Sequence, residues 1–262
     1  MLNYIISLTT IPSKFDNLHI TIDSIIHQTL LPSKIIINIP KIYNFRMNNS
    51  SIDLEKINAF RAKYSNYNIF INLINEDYGP GTKLLGLLNS DIITKIDRSN
   101  TYIILIDDDS IYKPYMIQLF NGCIKLNNEV EVCSHYVEDY CNVKIGQGVS
   151  GFCIKLNTLD HFQKYYNIIK DQDYVNYHDD FYISYYFHLL KKNIEYIESP
   201  YKCLVYTSHL DTYIDALCNL NGKYSRVNLN KKSFDILNKL NNEGCFEFSM
   251  RPPGARSTPI LI

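Results

Sequence analysis

The sequence predicts an α/β fold: a mainly parallel central sheet flanked by helices, with a mixed and more irregular C-terminal half. Two observations predict it. Short isoleucine-rich runs at 34–39, 68–74 and 101–106 alternate with stretches of helical periodicity over the first 110 residues. Strands alternating with helices imply βαβ units, parallel pairing and right-handed crossovers. Beyond residue 110 the alternation is lost.

In chain order, residues 3–9 read as a first strand, broken by Pro12. Leu18, Ile22, Ile25 and Ile26 recur at helical spacing, so a helix follows and ends near Gln28. Lys34–Ile39 is a second, buried strand stopped by Pro40, and Ser50-x-x-Asp53 has the form of a capping box opening a helix to about Tyr64. Residues 68–74 form the third strand. After the turn Asp77-Tyr-Gly-Pro-Gly81, Thr82–Ile93 has helical periodicity, and the fourth strand runs from Thr101 into Asp107. Pro114–Leu126 reads as a helix with proline in its first turn. Residues 131–137 and 149–155 read as strands, and 157–170 as a helix capped by Asn157 or Thr158. His178-Asp179-Asp180 opens another helix, whose buried face carries Ile183, Phe187 and Leu190. Residues 203–206 form a short strand ahead of His209. The expected organisation is a βαβ half over 1–110, a second half of the same domain over 111–240, and a disordered tail over 241–262. Its last stretch, Arg251-Pro-Pro-Gly-Ala-Arg-Ser-Thr-Pro-Ile-Leu-Ile262, abandons the Asn/Lys/Tyr bias of the rest.

Composition removes several classes of function. Lys+Arg number 26 against 27 Asp+Glu, so no basic field points to nucleic acid or an anionic membrane. The seven cysteines are odd in number and form no C-x-x-C pair, which argues against a disulfide framework or a zinc cage and favours a reducing compartment. No apolar run is long enough to span a membrane, and no basic region precedes the first apolar residues, so a cytoplasmic location is expected.

The chemistry concentrates at strand ends. The apolar run Thr101–Ile106 stops at Asp107-Asp108-Asp109. Three adjacent carboxylates repel one another, and a divalent cation would remove the repulsion. On an extended chain Asp107 and Asp109 reach the same side, whereas Asp108 points away. A solvated acidic turn is the alternative. Ligands collect at the carboxyl ends of strands in open parallel sheets, which brings together Thr9-Thr-Ile-Pro-Ser-Lys14, Asp77-Tyr-Gly-Pro-Gly-Thr-Lys83 and the three aspartates. Lysines and a metal beside a helix start suit a diphosphate, although by default Lys14 and Lys83 would be surface lysines. The glycines of Gly146-Gln-Gly-Val-Ser-Gly151 either admit a ligand to the backbone or make a bend. Asp179 and Asp180 are either first-turn acids favoured by the helix dipole or a general base facing the cleft.

Taken together, Ser7–Lys14, Tyr78–Lys83, the Asp107-x-Asp109 element and His178-Asp-Asp180 resemble a nucleotide-sugar-dependent glycosyltransferase of the Rossmann-like GT-A fold, close to the family-2-like group. The likeness covers about residues 3–210. It implies a sugar nucleotide, most often a UDP-sugar, bound by residues 1–110. The contacts would come from Thr9, Ile11, Lys14, Tyr78, Gly79, Lys83, Asp107, Asp108 and Gly151. It also implies Mn²⁺ or Mg²⁺ on Asp107 and Asp109 with His209 as a third ligand. The acceptor, a glycan, protein or small molecule, would lie against residues 111–240, and Asp180 would act as the base of an inverting displacement. The acidic pair is often Glu-Asp in that group and is Asp179-Asp180 here, so Asp179 stays a candidate; Ile183, three residues on, favours Asp180.

Rival readings are a haloacid-dehalogenase-like phosphatase, for which Asp107 would be the nucleophile, and a degenerate glycan-binding module using some of the 22 tyrosines. In such phosphatases the motif opens the chain, whereas a hundred residues precede it here. A nucleotidyltransferase is disfavoured, since no Gly-rich, basic loop follows the first strand.

Overall fold

The computed structural model describes residues 2–45, 47–172, 174–198, 206–208 and 225–246. The first part alternates as the periodicity requires: β1 (Asn3–Thr9), α1 (Leu18–Ile26), β2 (Lys34–Pro40), α2 (Leu54–Lys63), β3 (Ile69–Ile74), α3 (Thr82–Leu88) and β4 (Thr101–Leu105). Then follow β5 (Ser110–Tyr112), α4 (Met116–Leu126), β6 (Val132–Ser134), β7 (Val137–Tyr140), β8 (Val143–Gly146), β9 (Phe152–Lys155), α5 (Phe162–Ile169), α6 (Asp179–Leu189), β10 (Glu195–Tyr196), β11 (Tyr206–Ser208) and α7 (Arg226–Asn242).

Seven strands form one sheet in the order β10-β6-β9-β4-β1-β2-β3. β4, β1, β2 and β3 are mutually parallel. β9 lies antiparallel between β4 and β6, which makes the sheet mixed. β7 and β8 form a separate hairpin, and β11 pairs with β5. Both faces of the central strands are covered, and the side chains divide by the period-two rule. Ile103 and Leu105 of β4 enter one core with α3, α5 and α6, whereas Tyr102 and Ile104 enter the other with α1, α2 and α4. Among the described residues no helix is long and apolar enough to cross a membrane.

Several expected boundaries are corrected. The helix expected over 82–93 stops at Leu88, because Ser90 and Thr94 hydroxyls donate to the carbonyls of Leu87 and Asp91 and hold a turn instead. Asp53, not Ser50, caps α2, accepting from the Glu55 N–H at 2.8 Å. Residues 156–159 form a 3-10 turn, so neither Asn157 nor Thr158 caps α5, which starts at Phe162. The strand expected over 131–137 divides in two, because β6 pairs with β9 while β7 turns away to pair with β8. Residues 241–246, expected in the tail, are part of the fold: α7 runs to Asn242, and Phe246 is buried with its ring 5.3 Å from that of Tyr165. His209, the N-terminal part of the strand expected over 203–206, and 247–262 lie outside the described residues.

Candidate active site

β1 is flanked by β2 on one side and β4 on the other, so the chain changes direction across the sheet at β1/β4. In open α/β sheets the crevice beyond such strand ends is where ligands bind. Antiparallel β9 begins at that same edge, with Phe152 opposite Leu105. The Gly146–Gly151 segment therefore arrives beside the aspartates although it comes from the second half of the chain.

The chain leaves the strand after Leu105 and turns through Asp108 and Asp109. The alternation expected for an extended chain consequently fails, and Asp108 does not point away from the other acids' partners. Lys14 Nζ lies 3.3 Å from Asp108 and 2.8 Å from Asp109, while Asp107 turns to Lys83, at 2.7 Å. The turn is held from beneath. Thr21 of α1 donates to the carbonyls of Asp108 and Ser110, and the Asp107 N–H donates to the Tyr112 hydroxyl.

Lys83 joins the two acidic motifs. Its ammonium, almost entirely buried, lies 2.7 Å from Asp107 and 3.1 Å from Asp179 in the first turn of α6. Asp180 accepts the Gly148 N–H at 3.0 Å. A Cβ on Gly148 would meet Lys83 Nζ at 2.8 Å, Asp180 Oδ1 at 3.3 Å and Asp107 Oδ1 at 3.4 Å, so glycine lets this backbone lie on the network without displacing the lysine. Gly148→Ala is expected to leave the fold intact, because the lysine end can shift, and to misplace the carboxylates. A misplacement of about 1 Å costs roughly 10²-fold in rate. Melting and turnover measured on one preparation check this.

Lys83 is positioned by a buried polar seam that crosses three strands. Ser7 and Asn38 both donate to the Lys83 carbonyl, Asn38 also donates to Ser7, and Asn72 donates to Asn38 at 2.9 Å. α3 approaches the sheet closely enough that a Cβ on Gly86 would meet Asn38 at 2.9 Å. Polar residues at inward positions of apolar strands were the available signal for this anchor.

Charge and burial set the protonation. Burial alone would lower Lys14 and Lys83, but Asp108 and Asp109 outweigh it at the first and Asp107, Asp179 and Asp180 at the second, so both are held charged. Burial raises Asp108 and Asp179, each opposed by its lysine. Asp180 is pushed up to about 7 by burial and by the charge of Asp179, against the pull of Lys83. Five aspartates and two lysines leave a net formal charge of –3 when all are ionised, so a divalent cation fits this site by charge. Asp107 and Asp109 are its most exposed oxygen donors among the three adjacent aspartates, with side chains 34% and 20% accessible. Among the described residues no three metal-ligating side chains converge, so phosphate oxygens would have to complete the shell.

Other residues singled out from the sequence sit apart from this network. Thr9 donates its hydroxyl to the Asn38 carbonyl, and Ile11 packs against the core of the α1 face. Tyr78 packs edge-on to Tyr166, and its hydroxyl accepts from Asn89. Gly79 adopts φ +57° with its α-carbon against the Phe45 ring. Gly151, at φ +92°, faces Phe120 and Met116; Gly148 is the glycine at the acids. Sequence reading did not single out Phe45 and Tyr177, whose rings lie 4.7 Å apart beside Gly79.

No protein-family model matches the sequence, and no curated protein matches it. Solved structures similar to the chain include Staphylococcus aureus TarS 1–349, at 12% identity and TM-score 0.47, covering 72% of this chain and 56% of that one. The mannosyltransferase PcManGT from Pyrobaculum calidifontis, in complex with GDP-Man and Mn²⁺, aligns at 11% identity and TM-score 0.42, over 62% and 46%. Francisella tularensis 2-C-methyl-D-erythritol 4-phosphate cytidylyltransferase aligns at 14% identity and TM-score 0.42, over 72% and 87%. The chain thus spans about half the length of the first two. With TM-scores below 0.5, the architecture rests on the strand order above.

Proposed function

We propose that the chain is a GT-A-type glycosyltransferase that moves a sugar from a nucleoside diphosphate sugar, a UDP-sugar first among them, to a hydroxyl acceptor with inversion. The observation that carries this reading is Lys83, whose single ammonium ties the aspartate turn after β4 to the acidic start of α6. A site for the leaving diphosphate and a candidate base are thereby held within one ion network at the sheet's switch point. Residues 1–110 would receive the nucleotide and 111–240 the acceptor.

Asp107 and Asp109 would hold Mn²⁺ or Mg²⁺, which when bound supplies positive charge to the diphosphate. Lys14 and Lys83 add two fixed positive charges beside it, where negative charge grows as the anomeric C–O bond breaks. Of the acidic pair, Asp180 suits the base. Asp179 is committed to Lys83, whereas Asp180 is oriented by a backbone N–H and has its proton affinity raised toward neutrality, the range in which a base works best. It would take the proton of the acceptor hydroxyl as that oxygen attacks.

A thermal-shift panel of UDP-, GDP-, CMP- and TDP-sugars, with and without Mn²⁺, tests the donor. Binding at a hundredfold excess over Kd raises stability by ~2.7 kcal/mol, and Asp109→Ala should abolish the Mn²⁺-dependent part of the shift. A shift in Asp109→Ala that still depends fully on Mn²⁺ would remove Asp109 from the metal site.

A further inference from the structure

The segment that delivers the acidic pair is strained, and a helix from the C-terminal end of the chain sits on the strain. Tyr174 adopts φ +74° and ψ –33°, a backbone region that a bulky residue rarely occupies. From it the chain makes the 3-10 turn Val175–Tyr177 and enters α6 at Asp179, five residues later. The turn is built firmly. Val175 is fully buried, Asn176 donates to the Lys170 carbonyl at 2.6 Å and accepts from the Tyr166 hydroxyl, and the Tyr177 ring packs at a tilt against Phe45.

Tyr174 itself is covered by α7. Lys232 Nζ lies 3.9 Å from the centroid of the Tyr174 ring, close enough for a cation–π contact. Lys232 is in turn fixed by its helix, which is seated through buried Leu237 and through Phe234, whose ring lies 5.9 Å from that of Tyr140. Strained conformations persist only where the surroundings over-determine them, and they cluster where geometry matters to function.

We propose that Lys232 of α7 is a positioning residue for Asp179 and Asp180: seated on Tyr174, it holds the strained turn from which α6 presents both carboxylates to Lys83 and Gly148. The catalytic part of this rests on Asp180 acting as the base. The hold on the turn does not depend on which reaction the site performs.

The test compares wild type, Lys232→Gln and Lys232→Arg by amide hydrogen exchange and by steady-state sugar transfer. Loss of the cation should speed exchange of residues 174–182 about tenfold and leave β1, β2 and β4 protected. It should lower kcat with the donor KM unchanged, and Lys232→Arg should restore both. Unchanged exchange over 174–182 in Lys232→Gln would overturn the hold on the turn. Faster exchange with an unchanged kcat would overturn the positioning role. Wild-type protein that transfers no sugar would overturn the proposed reaction instead, and the exchange comparison would still decide whether Lys232 holds the turn.

Discussion

Asp180→Asn is expected to bind a UDP-sugar as the wild-type protein does and to transfer its sugar ~10²–10⁴-fold more slowly. A base that acts only on the acceptor contributes to the transition state and not to donor binding, so kcat falls while the donor KM holds. Asparagine retains the oxygen that accepts the Gly148 N–H, which guards against a displaced loop. Two further consequences follow from a pKa raised from 3.8 to about 7. Transfer by the wild type should rise with pH and level off above about 7, as the carboxyl loses its proton. Stability should move the other way. The folded protein holds this proton more tightly than the unfolded chain, so the contribution is fully present below pH 3.8 and is lost as pH rises through about 7. Asp180→Asn should therefore be the more stable protein at pH 8, by on the order of 2–4 kcal/mol. Denaturant melts at pH 5 and pH 8 check the sign. Asp179→Asn is the comparison for turnover, and a larger loss there would exchange the roles of the two acids.

Lys83→Met should be the most damaging single change to stability. The ammonium is buried between Asp107 and Asp179, and removing one partner of a buried pair leaves uncompensated charge at a cost of about 3–5 kcal/mol. Asp179 can escape that cost by taking a proton, so the deficit should be large at pH 8 and shrink toward pH 5. The same variant should lose affinity for nucleoside diphosphates. Equal destabilisation at both pH values would mean that lost packing, not charge, accounts for the effect.

The parallel half of the fold was legible because each of its strands is a short isoleucine-rich or apolar run bounded by proline, glycine or acid, which is how a strand buried on both faces must read. The second half was harder. The runs at 131–137 and 149–155 contain β6 and β9, but strands of three or four residues carry no mark of their pairing direction, so the antiparallel insertion of β9, the division of β6 from β7 and the two-residue β10 left little trace. α7 was overlooked although Leu229, Phe234, Leu237 and Leu240 recur at near-helical spacing. At the site, the sequence placed the loops carrying Lys14, Lys83 and the three aspartates at one edge of the sheet, where they meet. It could not show that Lys14 and Lys83 would pair with acids 95 and 24 residues away, because such pairing is a property of the assembled edge and of no local pattern. Gly148 was obscured for the same reason: its need for a hydrogen in place of a side chain comes from Lys83, Asp107 and Asp180.

The most direct measurement is proton NMR of the sugar at the moment of its release from a UDP-sugar, to an acceptor or to water, before the anomers equilibrate. Direct displacement with Asp180 taking the acceptor proton predicts a product of inverted anomeric configuration, formed ~10²–10⁴-fold more slowly by Asp180→Asn. A product of retained configuration, or inversion at an undiminished rate in Asp180→Asn, would contradict it.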